Sequence, residues 1–183
     1  MRYLHHWRAW RFKKPSRQTI LRSLAVAAVL LLVVFIIRAH SPRPGTVAFN
    51  KYSASLVDYN GKTVRFDTFT QRPLVVFFWA TWCPYCKAEL THLGELRAQY
   101  GDRLQVIAVN RGESRSDAKT FSDALVLPKG VMFLLDPNDS LFKQLGGYAV
   151  PETIFVNSRG EEVVHHHGPL KPEEADKAVL QII

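Results

Sequence analysis

The stretch "FFWATWCPYCKAEL", Phe77–Leu90, contains both cysteines of the 183-residue chain, Cys83 and Cys86. A disulfide between them would close a very short loop, and such a loop constrains the unfolded chain little. A structural zinc site needs four ligands, and a single Cys-x-x-Cys pair supplies only two of them. The pair therefore favours a reversible dithiol/disulfide over a bond kept for stability.

The residues around the two cysteines predict a strand followed by a helix. Leu74–Trp79 reads "LVVFFW", and a continuous apolar run of β-forming residues is typical of a strand buried on both faces. Pro84 suits the first position of a helix, and leucines at helical spacing extend this helix to about Tyr100. Cys83 would then lie at a helix N-terminus, where free N–H groups and the helix dipole favour a thiolate.

The rest of the chain alternates between strand and helix patterns, which predicts an α/β domain. Before the cysteines, Asn60–Gly61 predicts the turn of a β-hairpin between Ser55–Asp58 and Lys62–Phe66. The patterns that follow the cysteine helix predict, in order, a strand at Leu104–Val109, a helix at Asp117–Leu125 with Ser116 as its N-cap, a strand at Val131–Leu135, a helix at Ser140–Leu145, strands at Thr153–Val156 and Glu162–His166, and a helix at Lys171–Ile183.

The positive charge of the chain is concentrated at its N-terminus. Residues 1–43 contain nine of the 24 Lys and Arg residues and no Asp or Glu, so the other 140 residues carry 15 basic and 16 acidic side chains. A nucleic-acid-binding domain would need a basic face on the folded part of the chain. The charge distribution therefore argues against nucleic acid as a partner.

Fourteen apolar residues run without interruption through Leu24–Ile37. With their neighbours they predict a transmembrane helix over residues 20–38, because a membrane span needs about 20 residues. A cleaved signal peptide is the alternative, but the sequence "RAHSPRPG" after Ile37 contains no A-x-A-like cleavage site.

Seven Lys and Arg residues precede Leu24, and only Arg38 and Arg43 follow the run closely. The positive-inside bias therefore predicts a cytoplasmic N-terminus and a domain on the outer side of the inner membrane, which in a bacterium is the periplasm. The predicted organisation is a basic cytoplasmic tail at 1–19, an anchor at 20–38, a linker at 39–50 and a folded domain at 51–183.

The motif "WCPYC" after a buried strand, followed far downstream by "VPET", resembles the thioredoxin superfamily. The early hairpin, the anchor, the inserted helix and strand within residues 117–135, and "YAVPETIFVNSRGEEV" resemble its TlpA-like branch, which includes ResA and the cytochrome c maturation thioredoxins CcmG/DsbE. The resemblance implies a thioredoxin-like fold, with a central mixed sheet flanked by helices, an N-terminal β-hairpin and an inserted helix and strand.

The resemblance also implies roles for individual residues. Cys83 matches the exposed nucleophile of the family, and Cys86 matches its resolving thiol. Pro151 matches the proline that follows a cis peptide bond, where the backbone of Val150 would lie against the sulfurs and hold a substrate peptide. Glu89 matches a glutamate that this branch keeps near the cysteines.

Three further positions bear on the site. Glu152 matches an acidic residue that often follows the cis-proline in the cytochrome-maturation members. Trp82 either covers the site with a flat apolar face or packs in the core. Phe77 stands where general thioredoxins have a buried aspartate, so the proton relay of that aspartate is missing.

These matches predict a membrane-anchored thiol–disulfide oxidoreductase without a cofactor. A reductase of protein disulfides is favoured, with an apocytochrome c as one candidate substrate and a membrane protein of the DsbD/CcdA type as electron donor. A disulfide-forming oxidase is one alternative. Another is a copper carrier that uses the cysteines with His165–His167. Neighbouring residues of a strand point to opposite faces, which disfavours a site of three adjacent histidines, and we predict no metal ligands.

Overall fold

The structure, a computed structural model, describes residues 17–40, 52–69 and 72–183, which belong to two units, Met1–Pro44 and Gly45–Ile183. The first unit contains the helix α1, Arg17–His40. Residues 20–38, the predicted membrane span, lie within α1, yet none of the helices in the described ranges is both long and apolar enough to cross a bilayer. Most of the predicted tail and linker lies outside the described residues, and Ala39 and His40, predicted as linker, belong to α1.

The second unit contains seven strands and four further helices over its described residues. The strands are β1 (Ser55–Asp58), β2 (Thr63–Arg65), β3 (Leu74–Trp79), β4 (Gln105–Arg111), β5 (Val131–Asp136), β6 (Glu152–Val156) and β7 (Glu162–His167). The helices are α2 (Cys86–Tyr100), α3 (Arg115–Asp123), α4 (Ser140–Gln144) and α5 (Pro172–Ile182), with short 3₁₀ turns at Phe66–Thr68 and Gly101–Arg103.

The seven strands form one mixed sheet in the order β2-β1-β5-β4-β3-β6-β7. The central strand β3 pairs in parallel with β4 and antiparallel with β6, and β4 pairs in parallel with β5. The hairpin β1–β2 extends the sheet through an antiparallel pairing of β1 with β5. The predicted mixed sheet, early hairpin and inserted helix and strand, here α3 and β5, are therefore confirmed.

Strand β3 is buried along its whole length, as its unbroken apolar sequence predicts. Val75, Phe77 and Trp79 face one core cluster, which also contains residues of α2 and α5. The alternate side chains of β3 face a second cluster that includes Phe66 and the α4 residue Phe142. Burial of each large apolar side chain stabilises the fold by about 1.5–3 kcal/mol. Burial on both faces therefore holds β3 firmly in the sheet, and with it the start of the loop that leads to Cys83.

The hairpin turn at Asn60–Gly61 forms as predicted. The side chain of Asp58 accepts hydrogen bonds of 2.8 Å from the backbone N–H groups of Asn60 and Lys62. Gly61 has a φ of 84°, a conformation that residues with a Cβ rarely adopt.

Two predicted helix starts are displaced. The cysteine helix begins at Cys86 and not at Pro84, because residues 83–86 first form a turn in which the Cys86 N–H donates to the Cys83 carbonyl over 3.4 Å. Helix α3 begins at Arg115, and its N-cap is Ser114 and not Ser116. The Ser114 hydroxyl accepts the hydrogen bond from the Asp117 N–H, and the Ser116 hydroxyl instead lies 2.7 Å from that of Ser114.

Candidate active site

Cys83 and Cys86 form a disulfide at the start of α2. Cys86 is the first residue of the helix, and Cys83 lies in the turn that precedes it. The two cysteines differ in accessibility, since Cys83 retains 3% of its surface exposed and Cys86 retains none. The predicted order of accessibility is therefore observed, although even Cys83 has only a narrow exposed area.

The loop between β3 and the disulfide is held by a carboxylate from a distant part of the sequence. The backbone N–H and the hydroxyl of Thr81 donate to Glu113 over 2.8 and 2.5 Å, and the Asn110 amide donates to the same carboxylate over 2.6 Å. The Cys83 N–H donates to the Ala80 carbonyl over 3.2 Å. Glu113 thus positions the residues that lead into Cys83, a role that no pattern in the sequence indicates.

Two aromatic side chains next to the cysteines project outward. Trp82 is 65% exposed and Tyr85 is 59% exposed. Of the two interpretations of Trp82, core packing is wrong, and a flat apolar surface beside the disulfide is what the structure contains. Exposed aromatic surface at this position is suited to contact with another polypeptide.

The downstream motif forms the start of β6. The Val150–Pro151 peptide bond is cis, as the resemblance implies. Pro151 is buried, and its carbonyl accepts a hydrogen bond of 2.9 Å from the Gly168 N–H. Val150 is half-buried and packs against both core clusters.

Glu89, in the first turn of α2, has a buried carboxyl group that accepts hydrogen bonds from two donors. The Thr153 hydroxyl donates to one of its oxygens, and the Leu170 N–H donates to the other over 3.1 Å. Burial raises the pKa of Glu89 above its ordinary value, and these two hydrogen bonds and the nearby His166 offset only part of that rise. Glu89 is therefore buried, as predicted, on the helix whose first residue is Cys86.

A cavity of roughly 190 Å³ opens beside this carboxyl group. Its walls are mostly apolar and come from the start of α2 and from the segment that leads into α5: Pro84, Tyr85, Ala88, Glu89, His92, Pro169, Leu170, Pro172 and Ala175. The cavity therefore lies directly against the residues between the two cysteines, where an apolar side chain of a bound polypeptide could enter.

The side chain of Glu152 lies on the opposite face of the sheet from Glu89. Its neighbour Thr153 faces Glu89, and successive residues of a strand point to opposite faces. The fully buried carboxyl group of Glu152 instead contacts β7, with one oxygen 2.6 Å from Nε2 of His165 and the other 3.2 Å from Nδ1 of His167. Burial alone would lower the pKa of His165, but the carboxylates of Glu152 and Glu162 outweigh it and raise that pKa to about 9.

A sequence model of the family described as Redoxin matches residues 45–182, which is well over half of the chain. The chain belongs to the redoxin family. Among proteins similar to this chain, the thiol:disulfide interchange protein DsbE of Escherichia coli (strain K12) is 32% identical over 123 residues, covering 67% of this chain and 64% of DsbE. The chain thus spans just under two thirds of the length of this relative.

A second relative represents the other named member of the predicted branch. The thiol-disulfide oxidoreductase ResA of Halalkalibacterium halodurans is 26% identical over 123 residues, covering 67% of this chain and 69% of ResA. The structure of MTB DsbF in mixed oxidised and reduced forms aligns with a TM-score of 0.65 at 22% identity, covering 75% of this chain and 98% of DsbF. The predicted TlpA-like branch and the thioredoxin-like fold are confirmed.

Proposed function

We propose that this redoxin is a thiol–disulfide oxidoreductase that reduces disulfides of protein substrates through Cys83 and Cys86. The observation that carries the proposal is the disulfide at the start of α2, beside the exposed rings of Trp82 and Tyr85. A bond that closes so short a loop adds little stability. Its position at a helix start, next to an outward-facing apolar surface, suits a bond that is made and broken during exchange with another protein.

The proposed reaction begins with the reduced pair. The thiolate of Cys83, the more accessible cysteine, attacks one sulfur of the substrate disulfide, which breaks that bond and forms a mixed disulfide. The displaced substrate sulfur leaves as a thiolate and takes up a proton. Cys86 then loses its proton and attacks the sulfur of Cys83, which releases the second substrate thiol. Two electrons pass to the substrate, and Cys83–Cys86 becomes the disulfide.

Glu89 is proposed to accept the proton from Cys86 in the second step. Three observations support this role: its place three residues after Cys86, its burial, and the rise of its pKa through desolvation. A carboxyl group whose pKa lies closer to that of a thiol exchanges protons with it more readily. Both oxygens already accept one hydrogen bond, but each retains a second lone pair.

The substrate is proposed to be a protein disulfide held beside Trp82, Tyr85 and the backbone at Val150, with an apolar side chain in the cavity next to Tyr85. Similarity to DsbE and the resemblance to the cytochrome c maturation thioredoxins support an apocytochrome c, whose haem-attachment motif C-x-x-C-H reacts as free thiols. Glu152, predicted among the substrate-binding residues, has a fully buried carboxyl group, so only its backbone is proposed to contribute.

The domain is proposed to work outside the cytoplasm on a single-pass anchor over residues 20–38, with the preceding tail in the cytoplasm. The uninterrupted apolar run Leu24–Ile37 and the surplus of basic residues before it support this placement. Electrons for a reductase in an oxidising compartment must then come from elsewhere. A membrane dithiol donor of the DsbD/CcdA type, implied by the resemblance, would reduce Cys83–Cys86 again.

Two measurements on the purified chain test this function. For each disulfide that the pre-reduced chain acquires, it should generate two free thiols from an exposed disulfide of a substrate protein such as insulin. Cys83→Ala should generate very few. Equilibration with a glutathione buffer of known potential should give a reduction potential well below that of glutathione. A potential as high as about −120 mV would instead identify a disulfide-forming oxidase, and the absence of any exchange would reject both.

A further inference from the structure

We infer that Glu152, His165 and His167 form a binding site for a divalent transition-metal ion such as Zn²⁺, separate from the cysteine pair. One carboxylate oxygen and one ring nitrogen of each histidine lie within 4.8 Å of one another, at the edge of the sheet formed by β6 and β7. The inference is independent of the proposed redox function, because neither cysteine contributes a ligand.

The pairing of β6 with β7 creates this cluster. Glu152 pairs with His167, and Ile154 pairs with His165. Side chains two residues apart on a strand share a face, so His165 and His167 project to the side on which Glu152 lies. His166 pairs with Thr153 on the opposite face, and its ring contacts the Pro169 carbonyl. The alternation that disfavours three adjacent histidine ligands thus supplies two, together with a carboxylate from the neighbouring strand.

A buried oxygen without a hydrogen bond supports the presence of a ligand. The carboxyl group of Glu152 is fully buried, and His165 contacts only its Oε1 atom closely. Nδ1 of His167 lies 3.2 Å from Oε2, yet within the described part of the chain no group makes a hydrogen bond of acceptable geometry to that oxygen. Buried carboxylate oxygens are normally satisfied, and an ion between Oε2 and the two imidazoles would satisfy this one.

The chemistry of the three groups matches Zn²⁺ in its open type of site. Two imidazoles and one carboxylate leave a fourth position for water or an external ligand. Glu162 lies 3.4 Å from Nδ1 of His165, the ring nitrogen away from the cluster, where a carboxylate orients a metal-binding histidine. The side chain of His167 is 35% exposed, which gives an ion a path from solvent. Arg111 interacts electrostatically with Glu152, but its hydrogen bonds are made to Asp139.

A Zn²⁺ titration of the oxidised, untagged full-length chain tests the site, with binding followed by competition against a chromophoric chelator. Because the cysteines are then bonded to each other, thiolates do not compete. Histidines near the N-terminus, His5 and His6, are replaced by Asn in every protein compared, so that they add no background. We expect one Zn²⁺ per chain, and a loss of affinity of at least tenfold in His165→Gln and in His167→Gln.

The matched control is His166→Gln, which lies on the same strand with its side chain on the other face. This variant should bind Zn²⁺ as tightly as its parent. Glu152→Gln should also weaken binding, and circular dichroism shows whether this variant, changed at a buried position, still folds. If it does not fold, His167→Gln still decides the test, because the side chain of His167 is 35% exposed and its replacement should not disturb the core. No stoichiometric binding by the parent, or an equal loss in His166→Gln and His167→Gln, would overturn the inference. Binding seen only after reduction would also overturn it, because the ligands would then be thiolates.

Discussion

Replacing Glu113 by Ala should destabilise the folded chain although this residue lies 30 positions after Cys83 and 27 after Cys86 in the sequence. Its carboxylate accepts three hydrogen bonds, two from Thr81 and one from Asn110, and these hold the loop that leads into Cys83. A hydrogen bond to a charged acceptor contributes about 1.5–3 kcal/mol when buried. The three contacts are only partly buried, so water can replace some of them, and we expect a total loss of about 2–4 kcal/mol.

Urea unfolding of the oxidised chain measures this loss. With a slope of about 2 kcal/mol per M, the midpoint should fall by about 1–2 M. Glu113→Gln is the matched variant, because its oxygen can still accept from the Thr81 N–H and the Asn110 amide while its NH₂ group donates to the Thr81 hydroxyl. This variant loses the charge but keeps the contacts, so its free energy of unfolding should be only about 1 kcal/mol lower than that of the parent chain.

Asp123→Ala provides the background value for this experiment. Asp123 makes an exposed ion pair with Lys119 within one helix, and such pairs contribute only about 0.3–0.5 kcal/mol. Hydrogen exchange at the Thr81 amide should accelerate in Glu113→Ala and not in Asp123→Ala. If the free energy of unfolding of Glu113→Ala lies within about 0.5 kcal/mol of that of the parent chain, the loop does not depend on Glu113 and the reasoning is refuted.

Three further predictions concern Glu89 and the position of the domain. Glu89→Gln should lower the apparent pKa of Cys83, measured as alkylation rate against pH, because a neutral amide no longer opposes a nearby thiolate. Burial raises the pKa of Glu89 in the folded state, so above about pH 4 the unfolded chain binds fewer protons than the folded chain. The stability of the wild type therefore falls as pH rises through this range. Glu89→Gln lacks this titration, so from about pH 4 to 7 its unfolding free energy should increase relative to that of the wild type. A reporter active only outside the cytoplasm and fused after Ile183 should be active, and less so when neutral residues replace Arg8, Arg11, Lys13, Lys14 and Arg17.

Each of these predictions has a clear opposing result. An alkylation profile of Glu89→Gln that superimposes on that of the wild type would remove Glu89 from the mechanism. A stability difference that stays constant across this pH range would mean that Glu89 titrates alike in the folded and unfolded chains. A reporter active only in the cytoplasm would reject the proposed topology, and release of a soluble domain starting near Ala39 would identify a cleaved signal peptide instead of an anchor.

Local sequence predicts those elements whose burial is evident from their own amino-acid composition. Strand β3 is an example, because both of its faces are covered and every residue of Leu74–Trp79 is therefore apolar. Helix starts are less predictable, since several hydroxyl or proline residues near a start are equally suitable. Ser114 caps α3 although Ser116 also precedes the helix, and the turn at Cys83 delays α2 beyond Pro84.

Contacts between distant segments could not be predicted in the same way. Glu113 reaches Thr81 only because β4 lies beside β3 in the sheet, and its own surroundings in the sequence resemble an ordinary polar loop. The strand pattern places His165 and His167 on one face, but the nearness of Glu152 depends on the register of β6 against β7. The cysteine motif was recognisable because its whole chemistry lies within four consecutive positions.

Trapping of a mixed disulfide tests the central claim most directly. A pre-reduced Cys86→Ala chain is mixed with a disulfide-bonded peptide, excess thiol is blocked, and mass spectrometry of the digest locates the bond. A stable adduct through Cys83 is expected, because the thiol that would resolve it is gone, and only a small amount of adduct is expected with Cys83→Ala. An adduct that accumulates in Cys83→Ala instead would reverse the two roles, and no adduct in either variant would contradict dithiol exchange as the activity of this chain.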